Sequence, residues 1–443
     1  PLWALRRYRD RMRGLAARRR ALTGAVLAIG VLTAVGVAVV YPYGGPPTAE
    51  QQDFAAVDEE RIGGEITAVE VAATQDTEFL LPGAVEVVVD VATDDGRDLS
   101  IPMVDETGVL EVGKAVVVAQ IGAPGTAEQY AIVDFQRGPP LTALVVAFAL
   151  AVVALGRWQG VRALVGLGAS AVLVVGVAVP ALLAGRNPTL VAVVVALAVM
   201  CVTLPLSHGV SMTTRAAAVG TAGALLVTIG LALVAVEVTT LTGLSSEDVQ
   251  LVRFATGTEL DVRGLLLAGI IVGTLGVLDD VTVSQASTVA ALRRADPGAS
   301  DRAVFAAALR VGRDHIAATV NTLFLAYAGA ALPLLILFSV GGGAVGETLT
   351  SELVAQEVVR TVVGSIGLVL AVPLTTAVAA ATISAEDDPV HVHDEGVPPD
   401  EQPAAAPAGS AAPPLPDEPP PHDDDHVAWE DRLRQRYGLD DRS

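Results

Sequence analysis

Residues 264–292 read GLLLAGIIVGTLGVLDDVTVSQASTVAAL. The run is far longer than a buried strand, which spans about 4–8 residues, and exceeds the roughly 20 residues that cross a bilayer as a helix. Its centre falls near Leu278, beside Asp279 and Asp280. A carboxylate at that depth costs at least a few kcal/mol unless it faces protein, water or a cation, about +2.5–3.5 kcal/mol on insertion scales. Helical spacing separates the two acids. Gly269, Gly273, Gly276, Asp280, Ser284 and Ser287 fall on one face. Asp279 is turned about 100° away, with Thr282 as its nearest polar neighbour. Gly269 and Gly273 form a GxxxG unit, which lets another helix approach closely. The expectation is that Asp280 is the functional acid of a small-residue seam. The plainer alternative is that it only hydrogen-bonds a neighbouring helix.

Similar runs recur along the chain. Residues 21–41, ALTGAVLAIGVLTAVGVAVVY, follow Arg18, Arg19 and Arg20, and their core is too long for a cleaved signal. Further spans are expected at 139–156, 163–184, 189–206, 217–238, 264–283, 316–340 and 361–383, eight in all with a helical bundle over 139–383. Residues 1–20 hold eight Arg and one Asp, so the positive-inside rule puts the N-terminus in the cytoplasm. Arg157, Arg162, Arg215, Arg293, Arg294, Arg302, Arg310 and Arg313 fall in loops on the same side. An even count puts both termini there. The fold class expected is an α-helical polytopic membrane protein. A single lysine against 27 arginines, with abundant Ala and Val, suggests a GC-rich bacterial genome, hence the cytoplasmic (inner) membrane of a bacterium.

Residues 48–137 read differently. Alternating runs at 62–71, 84–92, 98–104, 114–121 and 129–135 are separated by turn signals such as Pro82-Gly83 and Asp94-Asp95-Gly96. Five short strands suggest a small extracytoplasmic β-rich domain, OB-like in its strand number. This segment holds 19 acidic and four basic residues. The tail, 385–443, is acidic and Pro-rich and is expected to be disordered. With a net charge of −21 and no basic face beyond the N-terminus, nucleic acid is excluded as a partner. The partners expected are the lipid bilayer, a small solute or cation, and a homo-oligomer.

A second polar cluster opens the span near 316–340. His315 and Thr322 share one face, Asp314 and Asn321 a neighbouring one. Asp314 and His315 are candidates for a proton relay, although such residues more often mark a helix end. Asn321 and Thr322 are deeper and are candidates for an ion path. The last span carries Gly364 and Gly367, suited to close helix packing, and Pro373; Pro180, Pro205 and Pro333 interrupt others. The one cysteine, Cys201, excludes a disulfide within the chain. His391, His393, His422 and His426 lie in the tail and carry no metal assignment. No cofactor is expected.

The run Gly273-Thr274-Leu275-Gly276-Val277-Leu278-Asp279-Asp280, then Ser284 and Ser287, Gly312-Arg313-Asp314-His315, Asn321-Thr322-Leu323, Ala326-Tyr327, Gly364-Ser365-Ile366-Gly367 and Pro373, resembles the YibE/F family of bacterial multi-pass membrane proteins. The resemblance covers about residues 60–383, most specifically 264–375. It implies one anchor, an external β-rich segment and a helical bundle. The family pattern of an Asp followed four residues later by a Ser selects Asp280 and Ser284. It implies no substrate.

The expected function is a transporter or permease for a small solute or ion, using the intramembrane Asp280, with Ser284, Ser287, Asn321, Thr322 and Asp279 as further candidates along the path. The alternative is a non-enzymatic scaffold or sensor, with the external domain and tail as interaction modules. An intramembrane aspartyl protease fits poorly, because both acids share one helix. No enzyme activity is expected.

Overall fold

The structure, a computed structural model, describes residues 2–43, 61–71, 84–105, 108–121, 129–245, 247–256, 261–340, 346 and 350–387. The tail from 388 onward, with its expected disorder and its histidines, lies outside the described residues.

Helix α1 (Leu2–Val40) leads to five strands, β1 (Arg61–Val71), β2 (Val85–Thr93), β3 (Asp98–Asp105), β4 (Ala115–Ile121) and β5 (Gln129–Phe135). They form one antiparallel sheet in the order β3-β2-β1-β4-β5. Strand β2 carries the period-2 logic: Val87, Val89 and Val91 point inward and join Ile66, Ile101, Val116 and Val118 in a core. The sheet curls, so its edges approach. Arg97, just before β3, donates to Tyr130 Oη of β5 at 2.6 Å. Its guanidinium carbon also lies 5.4 Å from that ring's centroid.

The turn between β2 and β3 is held by Asp95. Its carboxylate accepts from Arg97 Nε at 2.7 Å and Thr93 Oγ1 at 2.5 Å. These bonds, Arg97's first and Thr93's second, lower the Asp95 pKa to about 2. A depressed carboxylate contributes stability above its unfolded value and loses it as pH falls through the folded one. The turn should therefore hold its geometry at pH 3 to about pH 4, near the ordinary aspartate range. Arg97→Ala should return the Asp95 titration toward that range. An NMR carboxyl titration checks this, and an unmoved midpoint would contradict it.

The remaining helices are α2 (Gly138–Leu173), a π turn (Val174–Ala178), α3 (Val179–Leu183), α4 (Pro188–His208), α5 (Met212–Val238), α6 (Glu247–Thr256), α7 (Val262–Ala295), α8 (Asp301–Ala330), α9 (Leu332–Val340) and α10 (Glu352–Thr382). Among the described residues six helical stretches are long and apolar enough to cross a membrane: Arg13–Val40, Gly138–Leu183, Pro188–His208, Met212–Val238, Val262–Ala295 and Glu352–Thr382. The sequence reading expected eight, and two features account for the difference. The expected spans 139–156 and 163–184 share one 46-residue stretch. A straight helix of that length would run about 69 Å, against a hydrocarbon core of about 30 Å. The chain breaks it at Arg157, at φ 49° and ψ −130°. Beyond the break, a Cβ on Gly160 would lie 2.3 Å from Val152 O, so only glycine lets the two arms meet. The expected span 316–340 is divided between α8 and α9. The first half of α8 holds Asp301, Arg302, Arg310, Arg313 and Asp314, which lowers its hydropathy.

The π turn just before Pro180 accommodates the N–H that proline lacks. Pro205, near the end of α4, is met differently. Arg162 of α2 donates to Leu206 O at 2.7 Å and Pro205 O at 3.2 Å. A cation thus sits on carbonyls at the C-terminal end of α4.

Helices α5, α7 and α10 make the centre, and α8 packs against α7 and α10. Glycines set the spacing. A Cβ on Gly220 of α5 would lie 2.2 Å from Thr375 Oγ1 and 3.1 Å from Thr375 Cα of α10. One on Gly367 of α10 would lie 2.2 Å from Thr228 Oγ1 of α5. Gly220→Leu should therefore force the two helices apart and cost about 1–3 kcal/mol. It is read as a fall in the thermal midpoint of the detergent-solubilised protein. An unchanged midpoint would contradict the packing.

Arginines tie helix ends together at one end of the bundle. Arg18 pairs with Asp301 at 2.9 Å and Arg293 with the same carboxylate at 2.5 Å. Arg19 pairs with Asp387, and Arg293 donates to Ala380 O at 2.7 Å. The middle of α1, the end of α7, the start of α8 and the end of α10 therefore share this end. Opposite it, Arg263 pairs with Glu237 at 2.5 Å. There Glu352 accepts from the backbone N–H groups of Thr242 and Gly243 at 2.7 and 2.6 Å.

Candidate functional site

Asp279 stands 17 residues from the start of α7 and 16 from its end, about 25 Å from each. It lines a cavity of about 270 Å³ between α2, α4 and α7. The other polar groups on that cavity are Ser170 of α2 and Thr203 and Ser207 of α4. Gly166 and Gly276 complete the wall, with Leu275 and Val199 among its apolar parts. Glycine at 166 is what admits the hydroxyl: a Cβ there would lie 2.8 Å from Ser207 Oγ.

The hydrogen bonding is incomplete in one place. Asp279 Oδ1 and Thr203 Oγ1 are both buried and find no hydrogen-bond partner among the described residues. The Ser170 hydroxyl differs, since it donates to Gly166 O at 3.0 Å. Buried polar groups are almost always paired, and an unpaired carboxylate at this depth is costly. The donor set is one carboxylate with neutral hydroxyl oxygens, which suits a proton or a hard cation. Among the described residues no three His, Cys, Asp or Glu side chains come together as a metal cluster.

Asp280 faces elsewhere. It is exposed, as are Ser284, Ser287, Gly269, Gly273 and Gly276. The six residues do share a face, and it is the exposed side of α7: Gly276 reaches the edge of the Asp279 cavity, and a Cβ on Gly273 would lie 3.5 Å from Tyr327 Oη of α8. Asn321 and Thr322 of α8 are exposed too, and Thr322 Oγ1 donates to Ala318 O at 3.0 Å. Asp314 is exposed, whereas His315 is half-buried and its Nε2 has no partner among the described residues. Gly364 and Gly367 are buried, against Thr274 and Thr228 respectively.

The polar face of α7 that the bundle does bury is Thr274, Thr282 and Gln285. Thr282 and Thr221 of α5 share a 2.5 Å hydrogen bond. Gln285 Nε2 donates to Ala308 O of α8 at 2.9 Å and Thr376 Oγ1 of α10 at 2.8 Å. Ser170, Thr203, Ser207 and Gln285 were not singled out in the sequence. The signal was present in part: Gly166 with Ser170, and Thr203 with Ser207, stand four apart and so share a helix face.

Curated proteins and solved structures yield no match to this chain. A family profile described as YibE/F-like protein matches residues 144–385, just over half of the chain. The match takes in α7, α8, α10 and all the residues around the Asp279 cavity, and the chain belongs to the YibE/F-like family.

Proposed function

We propose that this protein is a membrane permease whose cargo is a monovalent cation, or a small solute coupled to one. Asp279 is its binding carboxylate, and Ser170, Thr203 and Ser207 are accessory oxygens. The observation that carries this reading is the buried, unpartnered Asp279 Oδ1 beside a cavity that Thr203 also lines, with its own hydroxyl buried and unpartnered. An intramembrane acid facing a cavity marks an ion or proton path more often than a packing contact. In this reading the chain moves an ion and catalyses no covalent step. Asp280, Ser284 and Ser287 lie one residue-turn around α7 and form the outer approach.

The wider arrangement is read with it. Eight crossings are supported by the break at Arg157 and by the α8–α9 pair. A cytoplasmic location of both termini is supported by the arginine cluster that joins Arg18, Arg19 and Arg293. The curled sheet then lies outside. Its strand order and the approach of β3 to β5 support an OB-like barrel.

Reconstitution tests the function. Proteoliposomes loaded with a pH-sensitive dye and given a proton, Na⁺ or K⁺ gradient should dissipate at least one of them faster than protein-free vesicles. Gly276 lines the cavity, and a Cβ there meets nothing within 4 Å. Gly276→Leu should therefore obstruct the cavity and stop flux while leaving the thermal midpoint in place. Wild-type vesicles that leak none of the three ions above background would sink the proposal.

A further inference from the structure

A second and larger cavity lies away from Asp279, on the other side of α4. It is a groove of about 480 Å³ between α1, α4 and α5. Its walls are apolar along most of their length, with Val26, Gly30 and Ala34 from α1 and Met200 and Leu204 from α4. From Thr23 to Ala34, α1 rises about 16 Å. Leu27 and Val31, on the rim, are 65% and 63% exposed. The groove is thus open along its side to the surroundings of the bundle. Its polar groups are gathered at one end, in Thr23, Thr214 and Arg215.

Arg215 is the unusual member. Its Nη1 donates to Thr23 Oγ1 at 3.2 Å and contacts Met212 Sδ at 3.6 Å. No carboxylate among the described residues pairs with it. Arg18, Arg19 and Arg293 are all neutralised by Asp301 or Asp387. A half-buried guanidinium at the mouth of an apolar groove lacks an anion that its neighbours have. Arginine binds phosphate oxygens through two parallel N–H groups. Basic pockets between membrane helices recognise anionic lipid headgroups in this way.

We propose that the groove between α1 and the α4–α5 pair is a binding site for a phospholipid of net negative charge. Arg215 holds its phosphate, and one acyl chain lies along Val26, Gly30, Ala34, Met200 and Leu204. The lipid fills the space between α1 and the bundle, and thereby fastens the anchor helix to the domain that it introduces. This site is independent of the Asp279 cavity, and neither proposal depends on the other.

Cys201 is the only cysteine in the chain and lines the groove, so its alkylation reports occupancy. The full chain, purified in a neutral detergent, is treated with a small maleimide in the presence of phosphatidylglycerol, phosphatidylcholine or inorganic phosphate. Phosphatidylglycerol at ten times its dissociation constant should slow labelling about tenfold. Phosphatidylcholine and free phosphate should not. Arg215→Gln should need about tenfold more phosphatidylglycerol for the same protection, the loss of one charge-assisted contact. Gly30→Leu keeps the arginine and fills the groove, since a Cβ at Gly30 meets nothing within 4 Å. It should abolish the lipid dependence, and it decides the matter if Arg215→Gln does not fold. Equal protection by phosphatidylcholine, protection by phosphate alone, or undiminished lipid protection in Gly30→Leu would each overturn the proposal. So would protection that tracks protein concentration instead of lipid, which would assign the groove to a second copy of the chain.

Discussion

Replacing Asp279 by Asn is expected to reduce flux about 10- to 150-fold, the loss of 1.5–3 kcal/mol of charge-assisted binding, while the protein stays folded. Asn keeps the volume, so the wall of the cavity survives. What disappears is the negative charge. The neighbouring variant, Asp280→Asn, separates the two acids. Asp280 is exposed and does not line the Asp279 cavity, so its loss should change flux far less. A reversed order, with Asp280→Asn silent in stability but dead in flux and Asp279→Asn active, would move the path to the open face. Flux by dye-loaded proteoliposomes, beside a thermal midpoint for each variant, reads both.

Gln285→Glu should destabilise the bundle by about 3–5 kcal/mol, the usual cost of a buried charge without a partner. Gln285 is 3% exposed and its amide N–H group bridges α7 to α8 and α10. A carboxylate there would present an oxygen to Ala308 O in place of a donor. Gln285→Leu removes the same donor but adds no charge. Thr376 Oγ1 still donates to Val372 O at 2.6 Å, and Ala308 O remains a helical acceptor. The apolar variant should therefore cost only about 0.5–1.5 kcal/mol. The contrast between the two distinguishes a desolvated charge from a lost hydrogen bond. Equal midpoints for Glu and Leu in a thermal melt would place Gln285 in a wetter setting than its burial indicates.

The five-stranded sheet was legible almost strand for strand, since a run such as AVEVVVDVA at 84–92 alternates once per residue and its inward valines are the core of β2. The membrane helices were legible for a different reason, because length and apolarity act on each segment alone. What the sequence could not order was the faces. Spacing along α7 groups Gly269, Gly273, Gly276, Asp280, Ser284 and Ser287 correctly on one side. Periodicity says which residues share a face but not which face a neighbour covers. The buried side turned out to be Leu278, Thr282, Gln285 and Val289, met by hydroxyls of α5 and α10. The cavity was invisible for the same reason. Ser170, Thr203 and Ser207 lie 72–109 residues before Asp279 and converge only when α2 and α4 pack beside α7. The resemblance to the YibE/F family was carried by local motifs, and those motifs fall within the matched residues 144–385.

The central claim is that Asp279 takes up a monovalent cation from the cavity. A carboxyl titration in bilayers tests it most directly, using full-length protein carrying ¹³C at the aspartate side-chain carboxyl. The account predicts one resonance, absent from Asp279→Asn and retained in Asp280→Asn, that moves with pH or on addition of Na⁺ or K⁺ across the range in which flux changes. A resonance assigned to Asp279 that responds to neither protons nor alkali cations, in protein that still conducts, would contradict it.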